Sequence, residues 1–169
     1  MKETKYKGKY LEVTEEIIGG HLYEKVSLRP GVRVYPIKEN KILVIKEFRR
    51  HEGKSRWKFI GGWLDKDGKD ELSVAKEELL EEVGMQAEKW QKFHTFDTGE
   101  NTVTMHAAYF VAQDINIVDN PPQNPDLDRI EEVRWVTLDE LWQMIDDHQL
   151  LWDFDALAGI QALRHFAKY

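Results

Sequence analysis

Residues 61–85 read GGWLDKDGKDELSVAKEELLEEVGM. A pair of glycines, a polar loop and an acidic helix follow one another. Leu72, Ala75, Leu79 and Val83 recur at three- and four-residue spacing, which predicts one buried helical stripe. Asp67 or Asp70 serves as N-cap, and Gly84 stops the helix. Glu78, Glu81 and Glu82 stand at i, i+3 and i+4, so their carboxylates share a face. Three clustered carboxylates repel one another, and a hard divalent cation relieves that repulsion. Mg²⁺ is the usual choice where substrate phosphates and water complete the coordination shell. Glu-rich helix faces are also common where they merely meet solvent, and each like-charge pair there costs only about a few tenths of a kcal/mol. The ordered set turns the reading towards metal: Gly61-Gly62, then the amphipathic helix, then EExxEExG closed by Met85.

That set resembles the Nudix box, GX5EX7REUXEEXGU, in which U is aliphatic. Gly61 matches the first glycine, and Glu78, Leu79, Glu81, Glu82, Gly84 and Met85 match the second half. The resemblance implies that Glu78, Glu81 and Glu82 bind metal, with Glu81 and Glu82 also catalytic. Two features depart from the pattern. The loop within WLDKDG is two residues longer. Counting back from the helix, the family's first glutamate falls on Lys69 and its arginine on Glu77. The changes are of opposite sign, so Lys69 and Glu77 are expected to form a charge-swapped pair that braces the glutamates as the family's arginine does. Alternatively, Glu77 adds a fourth carboxylate, or Lys76 supplies the missing cation.

Composition bounds the function class. A chain of 169 residues with 41% hydrophobic content is most simply one folded domain with a sizeable core. The net charge of −7 and the lack of a basic tract argue against long nucleic acid as a partner. An anionic substrate must then be met by local Arg and Lys or by metal. Cysteine is absent, which excludes disulfides and thiol catalysis. MKETKYKGKY has no apolar signal core and no run approaches a membrane span, so a cytoplasmic location is expected. His21, His51, His94, His106, His148 and His165 lack metal-ligand spacing and read as structural. No GxxxxGK[ST] loop is present.

Along the chain, GKYLEVTEEII and HLYEKVSL (within 8–28) read as two strands around Gly19-Gly20. GVRVYPI is a short strand with Pro36 at its end, and Glu39-Asn40 turns into KILVIKEF. Its run Ile42 to Ile45 suits a strand buried on both faces. RWKFIGGW leads into the signature turn. EKWQKFHTF and TVTMHAAYFVAQDI are further strands, Asn120 to Asp128 a loop, and EEVRWV another strand. Thr137 or Asp139 caps a short helix, and 152–169 closes the chain as a helix with Leu157, Ile160, Leu163 and Phe166 at helical spacing. Strands, helix, strands and terminal helices predict an α/β (or α+β) sandwich. The resemblance implies the same, a mixed sheet between helices.

RPGVRVYPI, Glu47-Phe48-Arg49 and DALAGIQALRHF resemble the ADP-ribose and nucleotide-sugar pyrophosphatase branch of the family. The division this implies is 1–30 as a dimer-forming N-terminal strand pair and 31–169 as the catalytic domain. The branch implies a homodimer whose substrate site draws on both subunits. The reaction it implies is metal-dependent hydrolysis of ADP-ribose or an NDP-sugar to a nucleoside monophosphate and a sugar phosphate, with Mg²⁺ or Mn²⁺ as the ion. A carboxylate positions the water; in this branch it comes from the loop before EEVRWV, where Asp128 falls nearest, with Asp126 and Glu131 as alternatives. Glu100, Arg49, Arg50, Trp57, Gly61 and Gly62 are the substrate-side candidates, and Trp63 is a further stacking candidate. A guanidinium meets two phosphate oxygens at once, although Arg49 and Arg50 also fit a solvated strand end and tryptophan is more often packing than platform. Two other readings stand beside this one: a Nudix-like domain that binds nucleotide without turnover, and another Nudix activity on nucleoside triphosphates or RNA 5′ ends.

Overall fold

A computed structural model describes residues 2–64, 68–99, 102–121 and 129–167. Ten strands and three helices appear among them, in the order β1 (Lys2–Lys7), β2 (Leu11–Ile18), β3 (His21–Leu28), β4 (Gly31–Lys38), β5 (Lys41–Arg49), β6 (Lys54–Lys58), α1 (Glu71–Val83), β7 (Met85–Asp97), β8 (Val103–Thr104), β9 (His106–Ile117), β10 (Arg129–Val136), α2 (Leu138–Asp146) and α3 (Asp153–Phe166). A six-stranded sheet runs β10-β5-β4-β9-β7, with β6 paired to β5. Its β4–β9 pair is parallel and its other pairs antiparallel. A second, four-stranded sheet runs β1-β2-β3-β8.

The central strands are apolar on both faces, and each face has its own core. Val32 and Val34 of β4, Leu43 and Ile45 of β5, and Ala108, Phe110 and Ala112 of β9 pack with Val74, Ala75 and Leu79 of α1. The alternate residues Tyr35, Ile37, Ile42, Val44, Tyr109 and Val111 pack with Leu141 and Met144 of α2 and Ile160 and Leu163 of α3. Period-two alternation therefore feeds two helical layers from one sheet. The architecture is an α/β sandwich, a mixed sheet between helices, as expected.

Several sequence expectations need adjustment. The strand β1 precedes the expected pair; its sequence KETKYK has no apolar alternation, and every residue of it is exposed. The cap of α2 is Thr137 in a full capping box with Glu140. In α3 Leu157 points outward, 53% exposed, while Ala156 and Gly159 join Ile160 and Leu163 on the buried face. A Cβ on Gly159 would stand 2.8 Å from the Phe59 ring, so the glycine lets α3 settle on β6's continuation. The cap of α1 is Asp70, whose Oδ1 accepts the Ser73 N–H at 2.8 Å; Asp67 lies outside the described residues.

Candidate active site

The chain after β6 does not continue as a regular strand. It runs along β4 instead: Val34 N–H donates to Ile60 O and Val32 N–H to Gly62 O, both at 2.9 Å. This close seating against the β4 backbone requires Gly61. A Cβ on Gly61 would lie 2.3 Å from Val32 O. A Cβ on Gly62 would lie 2.2 Å from Glu78 Oε1, so the Glu78 carboxylate rests directly on the turn. From the next turn of α1, Glu82 reaches the same place, and its Oε2 accepts the Gly61 N–H at 3.3 Å. Glu81 stands between them in sequence, three residues from Glu78 on the helix. The structure thus brings the glycine turn, Glu78 and Glu82 together.

Glu82 is buried, at 8% exposure, and carries a cation that sequence reading did not single out. Lys58 Nζ lies 2.9 Å from Glu82 Oε1 and 2.9 Å from Glu47 Oε1. Glu47 is buried as well, and its Oε2 accepts from Arg49 at 3.2 Å. Arg49 in turn donates through Nε to Glu52 at 2.6 Å. Burial by itself disfavours the Lys58 ammonium, but the charges of Glu82 and Glu47 outweigh it and hold the lysine pKa above its usual range. Burial raises the Glu82 pKa; Lys58 opposes this, and Glu47 adds to it. These directions agree physically, because one ammonium serves two carboxylates and Glu47 has Arg49 besides.

On the other flank of Gly61, a second buried pair ties β4 to α3. Arg33 Nε donates to Asp155 Oδ2 at 2.8 Å, Tyr109 donates to Oδ1 at 2.7 Å, and Tyr35 donates to the Asp155 carbonyl at 3.1 Å. Burial and the Asp155 charge push both tyrosine hydroxyls well above their ordinary pKa. Between the flanks opens a cleft of about 210 Å³ lined by Arg33, Arg49, Lys58, Gly61, Gly62, Trp63 and Trp152, among others. A larger open groove of about 580 Å³, around Lys38, Asn40, Lys89 and Asp114, holds none of the box residues.

Other predicted residues lie as follows. Lys69 and Glu77 are hydrogen-bonded as an ion pair. Arg49 lines the cleft, while Arg50 is exposed in the turn after β5. Trp63 is at the cleft, with Tyr10 5.7 Å away ring to ring. Trp57 is in the core, 6% exposed, beneath the Arg134 guanidinium; the structure does not bring it to the cleft. Glu131 is exposed and accepts from Ser55 at 2.7 Å. Asp126, Asp128 and Glu100 lie outside the described residues. Sequence reasoning missed Lys58, Glu47, Arg33, Asp155 and Trp152. The available signal was a charge set inside an apolar strand, as in VRVYPI and RWKFI.

The donor set suits a divalent cation in part. Among the described residues, no three His, Asp or Glu side chains converge as a closed metal cage would need. Mg²⁺ needs no such cage, since it is commonly held by one or two carboxylates plus phosphates and water. Glu78, seated on the turn, and Glu81, on the same helix face, meet that requirement.

Residues 27–156 match the NUDIX domain family. The chain belongs to the Nudix family and is a Nudix hydrolase. It is 27% identical to an ADP-ribose pyrophosphatase of Bacillus subtilis (strain 168), over 96% of this chain and 90% of that protein. Its fold matches a solved ADP compounds hydrolase with a TM-score of 0.74, at 19% identity, covering 98% of this chain and 91% of the other. Nudix hydrolases generally use a divalent metal. Among the described residues, no helix is long and apolar enough to cross a membrane.

Proposed function

We propose that this protein hydrolyses the pyrophosphate of ADP-ribose or a related NDP-sugar. Water adds to one phosphorus and the bridging oxygen leaves with the other, giving a nucleoside monophosphate and a sugar phosphate. The observation that carries this reading is the cleft itself: Arg33, Arg49 and Lys58 stand beside the glycine turn and the indoles of Trp63 and Trp152. Each of these cations is ion-paired in the free protein, so they offer directed N–H donors to a diphosphate while a bound divalent ion would supply most of the charge neutralisation. The indoles offer flat faces to a base or ribose. The similarity to an ADP-ribose pyrophosphatase supports the same substrate class.

In this reading Glu78 and Glu81 hold the divalent ion, Mg²⁺ by preference and Mn²⁺ as a substitute. When bound, the ion neutralises charge that builds on the phosphate oxygens. The glycine turn lets the substrate approach the backbone closely. Asp128, just before β10, is the carboxylate assigned to orient the water. Residues 1–30 form a strand unit that pairs with a second copy, and 31–169 the catalytic domain. Tyr6, Ile17, Ile18, Leu22 and Tyr23, all exposed on the four-stranded sheet, support such an interface.

The test is a Mg²⁺ assay on ADP-ribose, several NDP-sugars, dinucleoside polyphosphates and nucleoside triphosphates, with released phosphomonoester as readout. A diphosphate-linked sugar should turn over best, and Glu81→Gln should lower that rate by about 100-fold or more, since even outer-shell partners of a metal cost about 10–100-fold. Ligand binding with no turnover on any substrate would instead make this a nucleotide-binding domain. Asp128→Asn should lower kcat while leaving Mn²⁺ affinity unchanged. Light scattering on the eluted protein gives the oligomeric state, and a monomeric mass would remove the homodimer.

A further inference from the structure

Lys58 ends β6, three residues before Gly61, and its ammonium stands between carboxylates from two different elements, Glu47 of β5 and Glu82 of α1. Both acids are buried. Their remaining oxygens are already engaged, Glu82 Oε2 by the Gly61 N–H and Glu47 Oε2 by Arg49. Two buried carboxylates facing each other across a small space commonly enclose a metal ion. Here a protein cation fills that space at hydrogen-bond distance from each. Removing the ammonium would leave two buried anions uncompensated, an arrangement that costs several kcal/mol unless another cation enters.

We infer that Lys58 is a built-in cation of the active site, standing where a metal ion would otherwise bridge Glu47 and Glu82. Glu82 then serves as the counter-ion of Lys58 and as a backbone anchor for Gly61, and the divalent ion is held through Glu78 and Glu81. Lys58 is a positioning residue: through Glu82 it fixes α1 against the glycine turn. The site consequently takes fewer metal ions than a box whose last glutamate has no protein cation. The assignment deepens the pyrophosphohydrolase reading, but it rests on the charge arrangement and stands whatever substrate the protein hydrolyses.

The test counts Mn²⁺ on the whole protein without substrate, by electron paramagnetic resonance of the free ion, so that failure of the substrate panel does not affect it. In the wild type, Glu82→Gln should change Mn²⁺ affinity by less than about twofold, while Glu81→Gln should weaken it by about tenfold or more. Lys58→Met should bind one more Mn²⁺ per chain than the wild type, and Mn²⁺ should raise its melting temperature more than that of the wild type. Lys58→Arg, which keeps the charge, should keep the wild-type stoichiometry. If Glu82→Gln weakens Mn²⁺ as much as Glu81→Gln does, Glu82 is a ligand and the inference fails. It fails equally if folded Lys58→Met gains no ion. Should Lys58→Met not fold, the contrast between the two glutamine variants decides alone.

Discussion

Two buried cation–carboxylate clusters abut Gly61, and they are built on different arithmetic. On one side Arg33 meets Asp155 alone, and two tyrosines complete the aspartate's hydrogen bonds. Each charge there has one opposite charge, as befits a pair whose task is to fix the start of α3 onto β4. On the other side one ammonium faces two carboxylates, and Arg49 is divided between Glu47 and Glu52, which also meets Lys54 and Arg56. Burial is similar in the two clusters, so burial does not separate them. The count of charges does. The Arg33 pair is closed on itself, whereas one ammonium shared by two buried carboxylates beside the cleft is the kind of arrangement that perturbs ionisation at functional sites.

The largest stability effect should come from breaking the matched pair. Asp155→Ala leaves the Arg33 guanidinium uncompensated and should cost about 3–5 kcal/mol, a fall in Tm of roughly 6–20 °C for a chain of this size. Because the charge left uncompensated is itself a cation, added Mn²⁺ should not restore the loss; a calorimetric scan with and without the metal checks it. Restoration by Mn²⁺ would erase the distinction drawn between the two clusters. Tyr109→Phe removes one hydroxyl donor from the same carboxylate and should cost less, about 1.5–3 kcal/mol, the usual range for a hydrogen bond to a charged group. Thr137→Ala, far from both clusters, removes only a helix cap and should cost about 1 kcal/mol, which sets the scale for a local defect with no electrostatic component.

The same distinction explains what was legible in the sequence. The sandwich could be read because its signals are local: short apolar strand runs bounded by turn residues, such as Ile42 to Ile45 after Glu39-Asn40, and the capped amphipathic repeat of α1. The glycine turn and the glutamates were legible because spacing on one helix determines which side chains share a face. β1 was not, since a strand polar throughout carries no period. Trp57 and Trp63 look alike in sequence, and only the packing of Arg134 over one and the cleft beside the other separates them. Arg33 and Asp155 are 122 residues apart. A charge inside an apolar strand announces that a partner must exist, because an unpaired buried charge is too costly, but it does not say where in the chain that partner lies.

Lys69 and Glu77 offer the smallest and sharpest case. The family's pattern has an acid and then a base at these positions, and this chain has a base and then an acid; the ion pair joins the loop before α1 to the residue preceding Glu78. The pair is partly exposed, with side chains 39% and 32% accessible, so its stability contribution should be only about 0.2–1 kcal/mol. Its value would lie in orientation rather than stability, and affinity for Mn²⁺ reports that. Lys69→Ala should weaken Mn²⁺ by roughly two- to fivefold, the equivalent of less than about 1 kcal/mol. Lys69→Glu, which sets two carboxylates against each other, should do more harm. Lys69→Glu combined with Glu77→Arg restores the family's order of charges and should bring affinity back to within about twofold of the wild type. Only a pair that works through its mutual charge predicts that recovery, because independent effects of the two substitutions would simply add. A double variant no better than Lys69→Glu alone would show that the two residues touch without bracing anything.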